Sequence, residues 1–273
     1  MEIPQPPTQL YLEGELPDEN EYIYLTVVGS RKFSGYGKEA CEKLIAGLTG
    51  HKIVIVSGLA LGIDTIAHKA AIKNGLKTVA VPGSGLDKSC IYPSANRKLA
   101  EEILARGGAL LSEFEPKYPT YPANFPQRNR IMAGMSRAIL VIEATDRSGT
   151  LITARLATEY NRDLLVVPGS IFSPSSVGCN KLIFRGATSI SNSEELLEAL
   201  GIETEKKKEI NLDEIDATDD ERKIIALLAV EPLARDELIA QSGLSISDAN
   251  VILSMMEIKG FIKEVAGEIM LNF

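Results

Sequence analysis

The 273-residue chain has no tryptophan, two histidines and three cysteines, and each shortage removes a class of function. Cys41, Cys90 and Cys179 lie far apart and form no C-x-x-C pair. That spacing argues against a disulfide framework and against a zinc site, and fits a reducing compartment. His51 and His68 are too few for a histidine-rich metal centre. No stretch approaches the ~18–20 consecutive apolar residues that a membrane-spanning helix needs. The opening MEIPQPPTQLYLEGEL has no basic segment leading into an apolar core, so it does not read as a secretory signal. The expectation is a cytoplasmic protein without membrane insertion. A G-x-x-x-x-G-K-[ST] loop is also missing, which argues against a P-loop ATPase.

What remains is ordinary globular material, with 45% apolar and 24% charged residues, and a length that fits about two domains. The net charge of −8 at first speaks against a nucleic-acid partner, but it is unevenly placed. Residues 203–273 carry 16 acidic and 8 basic side chains, whereas residues 1–202 carry 21 of each. Within the neutral part, Phe125 to Arg137 holds Arg128, Arg130 and Arg137 and no acid. Charges beyond a Debye length of ~8–10 Å are largely screened, so a local basic patch can hold phosphates on an acidic molecule.

Between Tyr22 and Leu200, short β-branched runs alternate with helical patterns. Strands are expected at 22–29, 52–58, 77–81, 109–113, 137–143, 163–169 and 188–191, and helices at 36–48, 64–73, 95–105, 150–160 and 194–200. Runs such as VIVSG and ILVIE are apolar on both faces, as in strands covered on both sides. The alternation predicts an α/β domain, a Rossmann-like doubly wound parallel sheet over residues 1–202. A charged linker is expected at 203–216. Residues 217–273 then read as three helices (221–229, 235–241, 247–259) and a β-hairpin around Ala266-Gly267, a small C-terminal winged-helix domain. Gly243 and Ser247 are the expected caps of the second and third of these helices.

Ligands of open parallel sheets bind beyond the carboxyl ends of the strands. The residues following those strands are rich in small and polar types: Gly29-Ser30-Arg31-Lys32, Ser57-Gly58, Pro82-Gly83-Ser84-Gly85, Arg147-Ser148-Gly149-Thr150 and Pro168-Gly169-Ser170. Glycine admits close approach, and Ser148-Gly149-Thr150 opens a helix whose free N–H groups suit an anion. The same residues also build ordinary tight turns. Gly35-Tyr-Gly37-Lys-Glu-Ala40 formally matches a dinucleotide fingerprint, but starts about six residues past the strand and lacks the acidic residue expected about 20 positions on. Gly83-Ser-Gly85 fails at the third glycine.

The most specific segment is FPQRNRIMAGMS (125–136). Phe125 can stack on a base, Arg128 and Arg130 can hold phosphate, and Asn129 can bond a base or sugar edge. Alternatively Phe125 packs in the core and the arginines pair with Glu113, Glu115 or Glu143.

In this order, VVGSRKFSGYG (27–37), VSGLALGIDTIAHKAAI (56–72), VPGSGLDKSCIYP (81–93), LLSEF (110–114), NFPQRNRIMAGMS (124–136) and SGTLITARLA (148–157) resemble the DNA-processing protein A (DprA/Smf) family. PPTQLYLEGEL (6–16) looks like the family's lead-in, and the winged helix like its accessory domain. Longer members carry an N-terminal helical domain that this sequence does not show. The resemblance implies a homodimer that binds single-stranded DNA, protects incoming DNA and helps load the RecA recombinase, displacing single-strand-binding protein, during natural transformation. It implies no cofactor, no metal and no turnover reaction.

By motif, Arg31 and Lys32 should face phosphates and Phe125 should stack on a base. Arg128, Asn129 and Arg130 should shape the pocket floor, and Arg147, Ser148, Gly149 and Thr150 should supply charge and helix-start N–H groups. Ser57, Gly58, Gly62 and Asp64 look like pocket architecture, with Asp64 expected to cap its helix. Where some members have a basic residue shortly before the Phe, this chain has Tyr121-Pro122-Ala123.

A winged helix can read duplex DNA, but here the third helix carries Asp248 and Glu257 against Lys259 alone, so a protein-contact or regulatory role is expected instead. The same acidity disfavours transcriptional regulation. The competing enzymatic reading is a nucleotide-processing enzyme resembling the nucleoside-monophosphate phosphoribohydrolases. Their Gly-Gly-x-Gly-Thr-x-x-Glu site ends in a catalytic Glu where this chain has Thr153.

Overall fold

The computed structural model describes residues 3–203, 217–229, 232–265 and 267–272. The chain divides into two compact units, Met1–Thr204 and Glu205–Phe273. The expected linker falls outside the described residues save for Glu203, as does Ala266 of the expected hairpin turn.

In the first unit the elements follow in the order β1 (Tyr11–Gly14), β2 (Ile23–Val28), α1 (Gly35–Ala46), β3 (Ile53–Ser57), α2 (Ile63–Lys73), β4 (Lys77–Ala80), α3 (Arg97–Ala105) and β5 (Ala109–Ser112). Next come α4 (Asn124–Met135), β6 (Ala138–Val141), α5 (Thr150–Glu159), β7 (Asp163–Val166), α6 (Val177–Phe184), β8 (Thr188–Ser189) and α7 (Ser193–Ala199). The sheet has the strand order β1-β5-β4-β3-β2-β6-β7-β8, all parallel except β1, which pairs antiparallel with β5. From β2 the chain winds through β3 and β4 to β5, which β1 covers at that edge, then returns to β6 beside β2 and winds to the other edge. The switch point therefore lies between the C-terminal ends of β2 and β6.

Two-sided burial follows from the period-two direction of strand side chains. Leu25 and Val27 of β2 and Ile53 and Ile55 of β3 pack with Cys41, Leu44 and Ile45 of α1 and Ala67 and Ala71 of α2 on one face. Tyr24, Val28, Val54 and Val56 turn to the other face, against Ile131 and Met132 of α4 and Ala154 and Ala157 of α5. Thr26 is a polar exception on that second face, and its buried Oγ1 is satisfied by the Met132 carbonyl (3.0 Å) and Ser136 Oγ (2.8 Å).

In the first unit, β1, α4 and α6 have no counterpart among the expected elements. FPQRNRIMAGM has no clean amphipathic stripe, because its buried positions include Arg128 alongside Ile131 and Met132. It is helical because Pro126 sits in the first turn, where its missing N–H costs nothing, and because Asn124 Nδ2 anchors the helix start on the Gly83 carbonyl at 2.9 Å.

The second unit contains α8 (Asp219–Leu228), β9 (Leu233–Ala234), α9 (Arg235–Ser242), α10 (Ile246–Ile258), β10 (Ile262–Val265) and β11 (Glu268–Leu271), with the sheet order β10-β11-β9. Its core joins Ile225, Leu238, Leu253, Met256 and Ile269. Thr218 and Glu221 form a capping box on α8, and Gly243 closes α9 in the left-handed region at φ 71°. The cap of α10 is Ser245, accepting from Asp248 N, two residues before the expected Ser247, and the helix itself begins at Ile246 rather than at 247.

Ile55 is fully buried on the central strand β3. Ile55→Ala is expected to lower unfolding free energy by about 2–5 kcal/mol, read from the urea midpoint at unchanged m-value.

Candidate functional site

At the switch point the loops after β2 and β6 separate, leaving a cleft of about 500 Å³. Ser30, Arg31 and Lys32 line it on the β2 side, Thr145 and Ser148 to Thr150 on the β6 side, and Phe125, Arg128 and Asn129 of α4 close it. Clefts of ~300–1,000 Å³ are of the size that holds small ligands.

The rim is shaped by hydrogen bonds within each loop. Ser30 Oγ donates to the Lys32 carbonyl (2.7 Å) and accepts from Lys32 N (3.0 Å), folding the Arg31 turn back on itself. Ser34 caps α1 through Gly37 N (3.0 Å) and also donates through Oγ to Glu143 Oε1 (2.6 Å). Glu143, buried just past β6, accepts further from Ser34 N (2.9 Å) and Ser175 Oγ (2.7 Å). One carboxylate therefore ties the loops after β2 and β7 to the end of β6.

Phe125 is partly exposed in the first turn of α4. Its ring edge rests on Gly83, where a Cβ would come within 2.9 Å of Phe125 Cδ1. The exposed Arg31 guanidinium lies 5.1 Å from the ring centroid, a cation–π contact. Phe125 is thus neither sealed in the core nor bare, since Arg31 covers part of it.

Arg128 is 4% exposed and forms the floor beneath this rim. Its Nη1 donates to the Val81 carbonyl and its Nε to Asn129 Oδ1 (3.2 Å). The guanidinium packs flat on Gly58, where a Cβ would sit 2.1 Å from Nη1, so any side chain at 58 would displace it. Asp64 faces this cation and accepts from Gly58 N (3.1 Å) and Ala60 N (3.4 Å). Burial raises the Asp64 pKa against the pull of Arg128 and the two N–H groups, and burial lowers that of Arg128 to about 10. Arg128 still carries its charge at neutral pH.

The geometry sorts the expected site residues. Arg31, Lys32, Phe125, Arg128, Asn129, Ser148, Gly149 and Thr150 meet in the cleft. Ser57 does not: it is fully buried and donates to the Val27 carbonyl (2.7 Å), bridging β3 to β2. Gly58 serves Arg128 from behind. Arg130 points away, pairing with Glu113 and donating to the Gln5 carbonyl (2.7 Å), as in the alternative of paired arginines. Arg147 is exposed outside the cleft lining.

Asp64 does not cap α2, whose cap is Gly62 without a side-chain bond; it ties down the preceding loop instead. The start of α5 also differs from a cluster of free N–H groups. Thr150 N is taken by Ser148 Oγ (3.2 Å), and Leu151 N and Ile152 N bond the carbonyls three residues back. An anion there would meet the helix dipole and the Ser148 and Thr150 hydroxyls. Asn129 has its Oδ1 occupied by Arg128, and its Nδ2 has no partner among the described residues, leaving a hydrogen-bond donor in the cleft.

A family model described as DNA recombination-mediator protein A matches residues 1–201, and a DprA winged helix domain model matches residues 211–268. Protein Smf of Synechocystis sp. is 35% identical over 301 residues, covering 97% of this chain and 75% of that protein. The DNA processing protein DprA of Streptococcus pneumoniae is 44% identical over 196 residues, 72% of this chain and 68% of that one. The solved structure of the S. pneumoniae protein superposes with a TM-score of 0.64, covering 69% of this chain and 65% of that one. DNA processing protein A of Helicobacter pylori, 32% identical, also gives 0.64 over 72% of this chain and 89% of that one, and its structure concerns a single-stranded DNA binding mode.

Two buried groups of the first unit carry stability predictions. Glu113 and Arg130 are nearly buried, with side-chain exposures of 9% and 13%. Glu113→Gln should therefore cost about 3 kcal/mol in urea unfolding, within the range for breaking a buried pair. His68 is fully buried, with Nδ1 on Thr78 Oγ1 (2.7 Å); burial, then Arg128, pushes its pKa from 6.5 to about 3. Below pH 6.5 the unfolded chain therefore binds the His68 proton more readily than the folded one, so this contribution to stability declines as pH falls toward 3. The urea midpoint should drop across that window in the parent and less steeply in His68→Gln; equal slopes would contradict the assignment.

Proposed function

The chain belongs to the DNA recombination-mediator protein A family, and on that premise we propose that the cleft at the β2–β6 switch point holds unpaired DNA without chemically altering it. The observation that carries the reading is the meeting of Arg31, Lys32 and Phe125 on one rim above the buried Arg128 charge. Exposed guanidinium and ammonium groups neutralise phosphates, and an accessible ring gives each stacked base ~1–3 kcal/mol regardless of sequence. A duplex hides its base faces, so a single ring beside a narrow cleft favours single strands. Arg31 lies on the Phe125 ring in the free protein, and an entering base takes that place while the guanidinium turns to the phosphate.

The acid–base alternative has little support in this geometry. Thr153 stands where the hydrolase reading needs a carboxylate, and Glu143 is committed to three donors. In the cell, the family role extends this binding to protecting incoming DNA, loading the RecA recombinase in place of single-strand-binding protein, and acting as a homodimer. The α10 surface exposes Val251, Met255 and Ile258 beside acidic Asp248 and Glu257, which suits a protein contact better than a duplex.

Titration of single-stranded oligonucleotide at several salt concentrations tests the site. With Arg31, Lys32 and the nearby Arg147 engaged, the slope of log K against log salt should be about −2, at ~−0.7 per phosphate. Phe125→Ala and Arg31→Ala should each weaken binding about tenfold. Arg130→Ala should lower thermal stability and leave the slope unchanged. Retained affinity in both Phe125→Ala and Arg31→Ala would remove the cleft as the binding site.

A further inference from the structure

The cleft does not end at Phe125. Phe125 and Arg31 also line a dimple of about 30 Å³ on their far side, together with Leu61, Tyr92 and Pro93. Tyr92 in turn lines a further hollow of about 220 Å³ with Ser89, Ser94, Arg97 and Thr120. Each hollow therefore shares an aromatic residue with the next. The Tyr92 ring is half exposed (51%), its centroid 6.1 Å from that of Phe125, and the two planes are inclined by 50°. Inclined in this way, the rings present separate faces.

We propose that Tyr92 and Arg97 form a second nucleotide subsite, Tyr92 stacking on the base that follows the one on Phe125 and Arg97 holding its phosphate. The inference rests on the reading of the cleft as a site for unpaired DNA, and it extends the track by one nucleotide. The dimple is too small to enclose a base, so the base lies over it, against the Tyr92 ring and the exposed Leu61 side chain. Arg97 is positioned for the phosphate: its Nη2 donates to the Ser89 carbonyl (2.8 Å) and its Nε to that of Ile91 (3.4 Å). A guanidinium has five N–H donors, so these two bonds fix the head group and leave others for an anion. No acidic side chain lines the dimple or the hollow, so the charge there matches a phosphate. The hollow also holds Thr120, whose buried Oγ1 has no hydrogen-bond partner among the described residues.

The test is fluorescence anisotropy of the full chain with labelled (dT)20 over a salt series. Tyr92→Ala should bind about tenfold more weakly, with an unchanged salt slope, and Tyr92→Phe should match the parent. Arg97→Gln should make the slope shallower by about 0.7. In a Phe125→Ala background the Tyr92→Ala loss should persist in full, because each ring carries its own base; a loss that vanishes there would mean that Tyr92 only buttresses Phe125 and would overturn the subsite. Parent-like binding by both Tyr92→Ala and Arg97→Gln, with Phe125→Ala weakened, would overturn it too and leave the cleft standing. Loss of a protein contact in Tyr92→Ala with DNA binding intact would assign the hollow to a protein instead. Failure of the parent to bind (dT)20 would reject the reading of the cleft itself.

Discussion

The parallel pairing of β2 with β6 is the constraint on which the rest of the first unit depends. Because the chain leaves these neighbours in opposite directions, the loops beyond them cannot be closed over by a single crossover helix. The space between them becomes a cleft, and whatever side chains follow Val28 and Val141 become its walls. Glu143 then holds that opening in shape by binding Ser34 and Ser175 at once. The walls are short, polar turns because they stand where helices do not cover the sheet.

Charge in this site is divided between contact and support. Arg31 and Lys32 are exposed and can reach a phosphate directly. Arg128, buried against Gly58, faces Asp64, which also lines the cleft, so this pair builds the floor while the exposed positive charge of the cleft comes from Arg31 and Lys32. Arg130, two residues further along α4, is neutralised by Glu113. Three arginines that look alike in composition therefore do three different things.

Much of this was legible in the residues. The apolar runs and their spacing define the parallel sheet, and the small residues after each strand mark the rim, since glycine and serine serve the backbone geometry of tight turns. The direction of individual side chains was not legible. Arg128 and Arg130 are two positions apart on α4, so they leave the helix in directions about 200° apart, and only the helical state decides which faces the cleft. With Arg128 among its buried positions, 125–136 shows no clean apolar stripe in the sequence, so neither the helix nor that distinction is visible there. Tyr92 carries no signal of its own in the sequence, because its nearness to Phe125 depends on where α4 lands beside the β4 loop through Asn124 and Gly83. The α10 cap is ambiguous for a different reason: Ser245 and Ser247 are both residue types that cap helices, and Ile246 between them is apolar yet exposed, with burial beginning only at Ala249.

The account stands on a preference for unpaired bases over paired ones. Competition between single-stranded and duplex oligonucleotides of equal length, at fixed salt and with the intact chain, measures it most directly. The structure predicts that the single strand displaces a bound probe at concentrations at least tenfold below those of the duplex, in line with ~1–3 kcal/mol for a stacked base. Equal displacement by both would mean that phosphate charge alone holds the DNA, and would contradict the role given to Phe125.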